Sequence, residues 1–361
     1  MKINPIHVDI ESFNKIITNF KQYVSHSDAY KIQPIDAIKR AYGLPKNHKE
    51  NIPLRPIVSS LNSITSGSKA FLQNLISPIT KSCKFSVEST IEFKKRFLEI
   101  KGFNSEEYEI VTFDCVSLYT SINIDRVLEH ILNIIYLEPT IYFPPKTKIV
   151  TIKKVQTARI LEPPSRDTLK SFFKNILTDF NNFHALTGFN KQTSGCSMGS
   201  KLSPGLANIF CSLFETEIIE PEITSGKILH YSRYVDDIFC ILRKEEKNNL
   251  LEKLNNFDTE LNFTMNNIIN SKLTFLDTSV VLNNNKIHLE MFRKPTASDC
   301  FTNDHRSVSP KSYKISAFVG ELYRCNNTTS TGVALHTAIK DTKNIFLKNR
   351  FPPKLIDQKV S

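Results

Sequence analysis

The sequence predicts a mixed α+β fold, and three stretches predict it. Tyr108-Glu-Ile-Val-Thr-Phe-Asp-Cys115 reads as a buried strand that ends at Asp114 and feeds a helix. Thr193-Ser-Gly-Cys-Ser-Met-Gly-Ser-Lys-Leu-Ser-Pro204 reads as a glycine-containing loop that opens a helix over 204–220. Tyr231-Ser-Arg-Tyr-Val-Asp-Asp-Ile-Phe-Cys-Ile-Leu242 carries two apolar arms around the adjacent carboxylates of Asp236 and Asp237. Its Tyr, Val, Ile and Phe residues suit a pleated surface, so it reads as a β-hairpin over 229–243. The turn, Val235-Asp236, lacks the Asn-Gly or Asp-Gly of a relaxed two-residue hairpin.

In chain order, helical patterning appears over 6–20 and again over 34–42. Leu44-Pro-Lys-Asn-His-Lys49 and Pro53-Leu-Arg-Pro-Ile-Val-Ser-Ser60 follow, and their prolines make this an extended segment. Helices are expected over 66–77 and 90–100. After the strand that ends at Asp114, Ile124, Val127, Leu128, Ile131, Leu132 and Ile135 repeat at helical spacing, with Asn123 as the N-cap. Residues 139–164 are rich in proline and lysine and read as a loop or β-ribbon. A helix over 166–180 leads to a hairpin that turns near Thr187-Gly188. Beyond the Asp-Asp hairpin, a helix over 244–256 precedes strands over 261–266 and 273–282. Asn283-Asn-Asn-Lys286 is a turn, and 287–292 is the returning strand. Amphipathic helices are expected over 311–325 and 333–349.

Composition narrows the function. The chain of 361 residues is long enough for two or three subdomains with their own cores. No apolar run reaches the ~20 residues that span a bilayer, and the N-terminus lacks a signal-peptide pattern. Seven cysteines are scattered singly without zinc spacing, which points to a reducing, intracellular setting. The net charge of +11 points to a polyanionic partner. From Lys286 to Ser361 there are 13 Lys or Arg against 6 Asp or Glu, so most of the excess lies in a patterned C-terminal region. Such a region suits phosphate binding by a folded subdomain.

The candidate chemistry lies in the carboxylates. Adjacent aspartates repel, and Asp disfavours strands, so a divalent cation such as Mg²⁺ is the natural compensation. A hairpin placed beside the first strand in one sheet would cluster Asp114, Asp236 and Asp237. That cluster can hold two metal ions for in-line nucleotidyl transfer. Lys46, His48, Lys49 and Arg55 place positive charge on a stiff segment that suits a triphosphate or a template backbone. Gly195 and Gly199 would let backbone approach a ligand closely.

Taken in order, these motifs resemble a reverse transcriptase, specifically one of the Penelope-like retroelement group. The resemblance runs from about Leu44 to Pro353. It rests on Leu44-Pro-Lys46 with His48-Lys49, Arg55-Pro-Ile-Val58, Phe113-Asp114 with Ser117-Leu-Tyr119, Met198-Gly-Ser200 with Leu202-Ser-Pro204, and Tyr234-Val-Asp-Asp237. Phe275-Leu-Asp277, Arg293-Lys-Pro-Thr296 and Ser309-Pro310 match this group better than retroviral enzymes.

The resemblance implies a right-hand polymerase fold of fingers, palm with antiparallel sheet, and helical thumb. It assigns 1–104 to an N-terminal region and fingers, 105–137 and 193–285 to the palm, 138–192 to a fingers insertion, and 286–361 to a basic thumb. Asp114 and Asp236 would be metal ligands, Asp237 the third catalytic carboxylate, and the Cys115 carbonyl a further ligand. Two Mg²⁺ (or Mn²⁺) ions would be the cofactors. Tyr119 would be the gate against a ribose 2′-hydroxyl, Lys46 and Arg55 would meet the triphosphate, and Met198-Gly199 would line the nucleotide and template pocket. The partners would be an RNA template, a DNA or RNA primer and dNTPs, with a nuclear location in a eukaryotic host. Lys201 stands where the group has Pro, and Asn262 where it has Lys. The chain ends at Ser361 without the nuclease module of many relatives, as expected of an endonuclease-lacking or truncated member. A template-independent nucleotidyltransferase and an inactive RNA-binding protein stand as alternatives.

Overall fold

Tyr108–Cys115 is an interior strand of a four-stranded antiparallel sheet, as its apolar run requires. Ile110, Val111 and Phe113 are all buried. The strand pairs with Phe263–Asn267 on one side and with Asp237–Arg243 on the other, and the latter pairs with Ile228–Tyr234. Residues 238–242 are wholly buried, the mark of a strand covered on both faces. This computed structural model describes residues 5–35, 37, 39–46, 51–144, 146–152, 155–180, 182–185, 188–295 and 304–360. They fall into two compact units.

The unit with the carboxylate strands comprises Phe85–Val116, Thr216–Phe257 and Asn262–Ser361. Its core joins the sheet to the helix Thr90–Leu98 and to a second sheet of Lys272–Phe275, Thr278–Asn283 and Lys286–Met291. Phe93 meets Phe239 at 5.1 Å and Phe275 at 4.6 Å, both edge-on. Each such buried ring contributes about 2–3 kcal/mol. Asn284 and Asn285 both have positive φ, the relaxed hairpin geometry that Asn tolerates. The expectation of one strand over 273–282 is corrected here. The chain folds back at Leu276-Asp277, where Leu276 takes φ 54°. No Gly or Asn marks that turn, so the apolar alternation runs straight through it.

The basic C-terminal region is folded. Helices Lys311–Thr328, Gly332–Lys348 and Pro353–Val360 bury Phe318, Phe346, Phe351 and Ile356 together. Three polar contacts tie the first of these helices to the sheets and to the helix Thr90–Leu98. Arg293 bonds Glu321 at 2.8 Å, Arg324 bonds Asp277 at 2.9 Å, and Lys94 Nζ donates to the Asn326 carbonyl at 2.7 Å. Among the described residues, no helix is long and apolar enough to cross a membrane.

The other unit comprises Met1–Lys84, Ser117–Glu215 and Asp258–Leu261. Its core packs Pro5–Phe20, Ser66–Lys81, Ile124–Leu137, Arg166–Lys174 and Ser203–Phe214. Phe20 stacks flat on Phe172 at 3.8 Å. The Asn123 side chain accepts from the Arg126 N–H at 3.2 Å, and the five expected apolar residues from Val127 to Ile135 are buried. At Gly205 a Cβ would stand 2.7 Å from Gln73 Oε1, so that glycine lets the helices Ser66–Lys81 and Ser203–Phe214 close up.

The sheet of this unit runs Leu54–Ser59, Lys39–Pro45, Asn182–Ala185, Gly188–Lys191. The helix expected over 34–42 is therefore wrong: none of its described residues is helical, and from Lys39 the chain is a strand. Lys39–Pro45 is captured as a strand by Leu54–Ser59 and, in parallel, by Asn182–Ala185 about 140 residues away. Long-range pairing overrides the local period. Lys39 is buried at that strand's start and donates to the Phe180 carbonyl at 3.0 Å. The loop or ribbon expected over 139–164 contains the antiparallel ribbon Lys146–Ile152 and Val155–Leu161. The turn expected near Thr187 lies partly outside the described residues, as do His48 and Lys49.

Candidate active site

Three of the predicted residues meet at one end of the four-stranded sheet. Asp114 and Asp237 are register partners on adjacent antiparallel strands. Opposed residues in such a pair share a face with their side chains close together. Asp236 lies beside them in the two-residue turn between Tyr234 and Asp237. Its carbonyl accepts the Cys115 N–H at 3.2 Å, which ties the turn to the first strand. Cys115 itself is buried.

The turn is strained. Val235 takes φ 57°, and a β-branched residue rarely adopts that conformation. Arg233, just before it, is 1% exposed, and its Nη1–H donates to the Val235 carbonyl at 3.0 Å. The charge of the site is equally uneven. Asp237 is exposed at its surface, yet the protein around its carboxyl pushes the acid up to about 6. Partial desolvation is the largest cause, Asp236 and Asp114 add to it, and Lys294 opposes them.

Lys294 and Arg233 are the site residues that sequence reasoning missed. Lys294 lies within Arg293-Lys-Pro-Thr296, a motif that carries the family resemblance without assigning the lysine a role. Arg233 was visible as a charge inside an apolar strand. Asn262 stands at the same end of the sheet, where its carbonyl accepts the Val116 N–H at 2.8 Å. Thr264 Oγ1 reaches the Asp114 carbonyl at 3.4 Å.

The remaining candidates belong to the other unit. Lys46 follows the strand Lys39–Pro45, and its N–H donates to the Pro53 carbonyl at 2.9 Å. Leu44 pairs with Arg55, so the period of two places Lys46 and Arg55 on one face of that hairpin. Arg55 is exposed. Met198 and Gly199 dock along the companion strand. The Met198 carbonyl accepts from Val58 N at 2.8 Å, and Gly199 takes from Ser60 N at 3.3 Å. At Gly199 a Cβ would stand 2.9 Å from the Val58 carbonyl oxygen.

Tyr119 lies in the short helix Leu118–Ser121, and its carbonyl accepts the Cys196 N–H at 2.6 Å. A Cβ at Gly195 would collide with the carbonyl oxygens of Tyr119 and Thr120. Both glycines thus bring backbone against backbone. The loop fixes the segment that bears Tyr119 and braces the strand that bears Arg55.

The donor set of the carboxylate end is oxygen only and crowded with like charge, which fits a hard divalent cation. Among the described residues, no group of three or more His, Cys, Asp or Glu side chains stands ready to hold a metal ion by itself.

The family described as reverse transcriptase (RNA-dependent DNA polymerase) matches residues 45–289, a stretch that includes all three aspartates. No curated protein matches the chain. Among solved structures, telomerase from Candida albicans in complex with a TWJ fragment of telomeric RNA aligns at 11% identity and a TM-score of 0.52, over 94% of this chain and 60% of that one. Apo telomerase from Candida tropicalis aligns at 14% identity and a TM-score of 0.51, over 89% and 56%. The chain spans little more than half the length of these telomerases, and the likeness speaks to fold alone. Members of the matched family are nucleotidyltransferases that use divalent metal ions. The chain belongs to the reverse transcriptase (RNA-dependent DNA polymerase) family and has the right-hand polymerase fold.

Proposed function

We propose that the chain is the polymerase core of a Penelope-like reverse transcriptase, extending a primer 3′-hydroxyl with dNTPs on an RNA template. The observation that carries the reading is the register pairing of Asp114 with Asp237, with Asp236 in the adjoining turn. The sequence motifs around these residues support the narrower group.

Asp114, Asp236 and Asp237 would hold two Mg²⁺ or Mn²⁺ ions, with the Cys115 carbonyl as a further ligand. Bound there, the ions would activate the primer hydroxyl and neutralise charge on the triphosphate. The chain's own groups do the positioning. Lys46 and Arg55, on one face of their hairpin, bind the triphosphate through charge-assisted contacts. Tyr119 excludes a ribose 2′-hydroxyl, and Met198-Gly199 line the nucleotide and template pocket. Lys294 offsets the negative charge that Asp237 faces. Residues 1–104 and 138–192 act as fingers, 105–137 and 193–285 as palm, and 286–361 as a thumb that grips duplex phosphates. In a eukaryotic host the work is nuclear.

Primer extension on oligo(dT)–poly(rA) with dTTP and Mg²⁺ or Mn²⁺ tests this reading. Extension that requires template and vanishes in the Asp236→Ala/Asp237→Ala double variant supports it. Extension without template would replace it with a terminal transferase. Duplex binding without any extension would replace it with a binding protein.

A further inference from the structure

The hairpin that carries Asp236 and Asp237 turns through Val235 at φ 57° while Asp236 keeps negative φ. A positive φ at the first of two turn residues is the position where hairpins favour Gly. Valine there costs on the order of 1–3 kcal/mol unless neighbouring structure imposes it. Here the neighbouring structure imposes it. Arg233 is held from both sides of its backbone: its N–H donates to the Phe85 carbonyl at 2.9 Å, and its carbonyl accepts from Val87 N at 2.8 Å. That outer segment is anchored in turn by Arg96, whose Nη2 donates to the Ser86 carbonyl at 2.9 Å. From this fixed base the buried Arg233 side chain runs forward and donates to the Val235 carbonyl.

A guanidinium cannot shed its charge on burial, so its place in the core must be compensated by acceptors. One of those acceptors is the carbonyl that orients the strained turn. The Arg233 guanidinium donates directly to the Val235 carbonyl, so it acts on the turn through backbone geometry.

We propose that Arg233 is a positioning residue for polymerisation: its buried guanidinium holds the Val235 carbonyl, and with it the left-handed turn that sets Asp236 beside the Asp114–Asp237 pair. This rests on the polymerase reading above. Lysine at 233 keeps the charge but loses the planar fork, so the turn relaxes. Glycine at 235 adopts positive φ without help.

The test measures single-nucleotide incorporation at saturating primer–template by wild type, Arg233→Lys, Val235→Gly and the double variant. The variants' folding is followed by thermal unfolding. Arg233→Lys is expected to lower the rate roughly tenfold or more. The KM for dTTP should stay within about twofold, and the divalent-ion concentration for half-maximal rate should rise. Val235→Gly in the Arg233→Lys background should restore most of the rate. A folded Arg233→Lys variant with wild-type rate and metal dependence would overturn the proposal. So would a loss that Val235→Gly leaves untouched, or failure to fold both with and without Val235→Gly, because either makes Arg233 a general core residue. If the wild type itself does not extend a primer, the polymerase reading falls. The clamp is then decided by Tm: Val235→Gly must offset the drop caused by Arg233→Lys, and no offset rejects it.

Discussion

Two hairpins in the carboxylate-bearing unit turn in the same way and serve different ends. In Tyr234-Val-Asp-Asp237 and in Phe275-Leu-Asp-Thr278, an aromatic residue precedes a bulky apolar one at positive φ, 57° and 54°, and then an Asp. The fourth residue differs. Asp237 faces Asp114 across the sheet, whereas Thr278 is buried and its Oγ1 bonds the Phe275 carbonyl at 2.8 Å. The Asp of the second turn is met by Arg324 from the helix Lys311–Thr328 at 2.9 Å. The first turn gathers like charge with Lys294 opposing it, and the second is an ion-paired anchor for the C-terminal helices. The proposed reaction centre arises where the sheet sets a third carboxylate opposite this shared local geometry.

The largest expected difference is in rate. Asp236→Ala should lower single-turnover dTTP incorporation by about 10³-fold or more. Asp277→Ala, at the equivalent turn position, should stay within about threefold in the same assay. Equal losses would erase the distinction between the hairpins.

Next are two substitutions in the other unit, which should change selection and binding, not the carboxylate chemistry. Tyr119→Ala should reduce discrimination between dTTP and UTP by about 100-fold, read as a ratio of kcat/KM values. Arg55→Ala should raise the KM for dTTP by about tenfold with kcat nearly unchanged, the loss of one charge-assisted contact.

The smallest effect separates the hairpins by sign. Asp237 titrates near 6 in the folded chain against an ordinary 3.8. Between those values the folded state holds more protons than the unfolded one, so metal-free stability falls as pH rises through about 4 to 6. Asp237→Asn should therefore stabilise the metal-free protein at pH 7–8, by about 1 kcal/mol after solvent screening, and have no effect below pH 4. Asp277→Asn should instead destabilise at pH 7–8, by under about 1 kcal/mol, and less at high salt. Denaturant unfolding at the two pH values reads both.

Much of the carboxylate end was legible in the sequence because its signals are local. The apolar arms around Asp236-Asp237, the strand ending at Asp114 and the Asn123 cap each follow from a short pattern. Partners remote in sequence were not legible. Lys39–Pro45 pairs from Arg40 to Pro45 with Leu54–Ser59, and its first two residues are also held by Asn182–Ala185. The fold-back at Leu276-Asp277 carries no Gly or Asn, and its conformation is held by the pairing of the second sheet. Gly195 and Gly199 were recognised as sites of close approach, but only the coordinates show that the approaching atoms are the chain's own carbonyls. Arg233 and Lys294 needed the fold as well, since each acts on a residue through space.

The most direct measurement is the single-turnover rate of dTTP incorporation by Asp114→Asn, with primer–template affinity measured in parallel. Asp114 lies on a separate strand and meets the hairpin through the strand pairing, so it tests that geometry. A loss of about 10³-fold with duplex affinity within about twofold is expected. An Asp114→Asn variant that incorporates dTTP at the wild-type rate would contradict a reaction centre built from the three carboxylates.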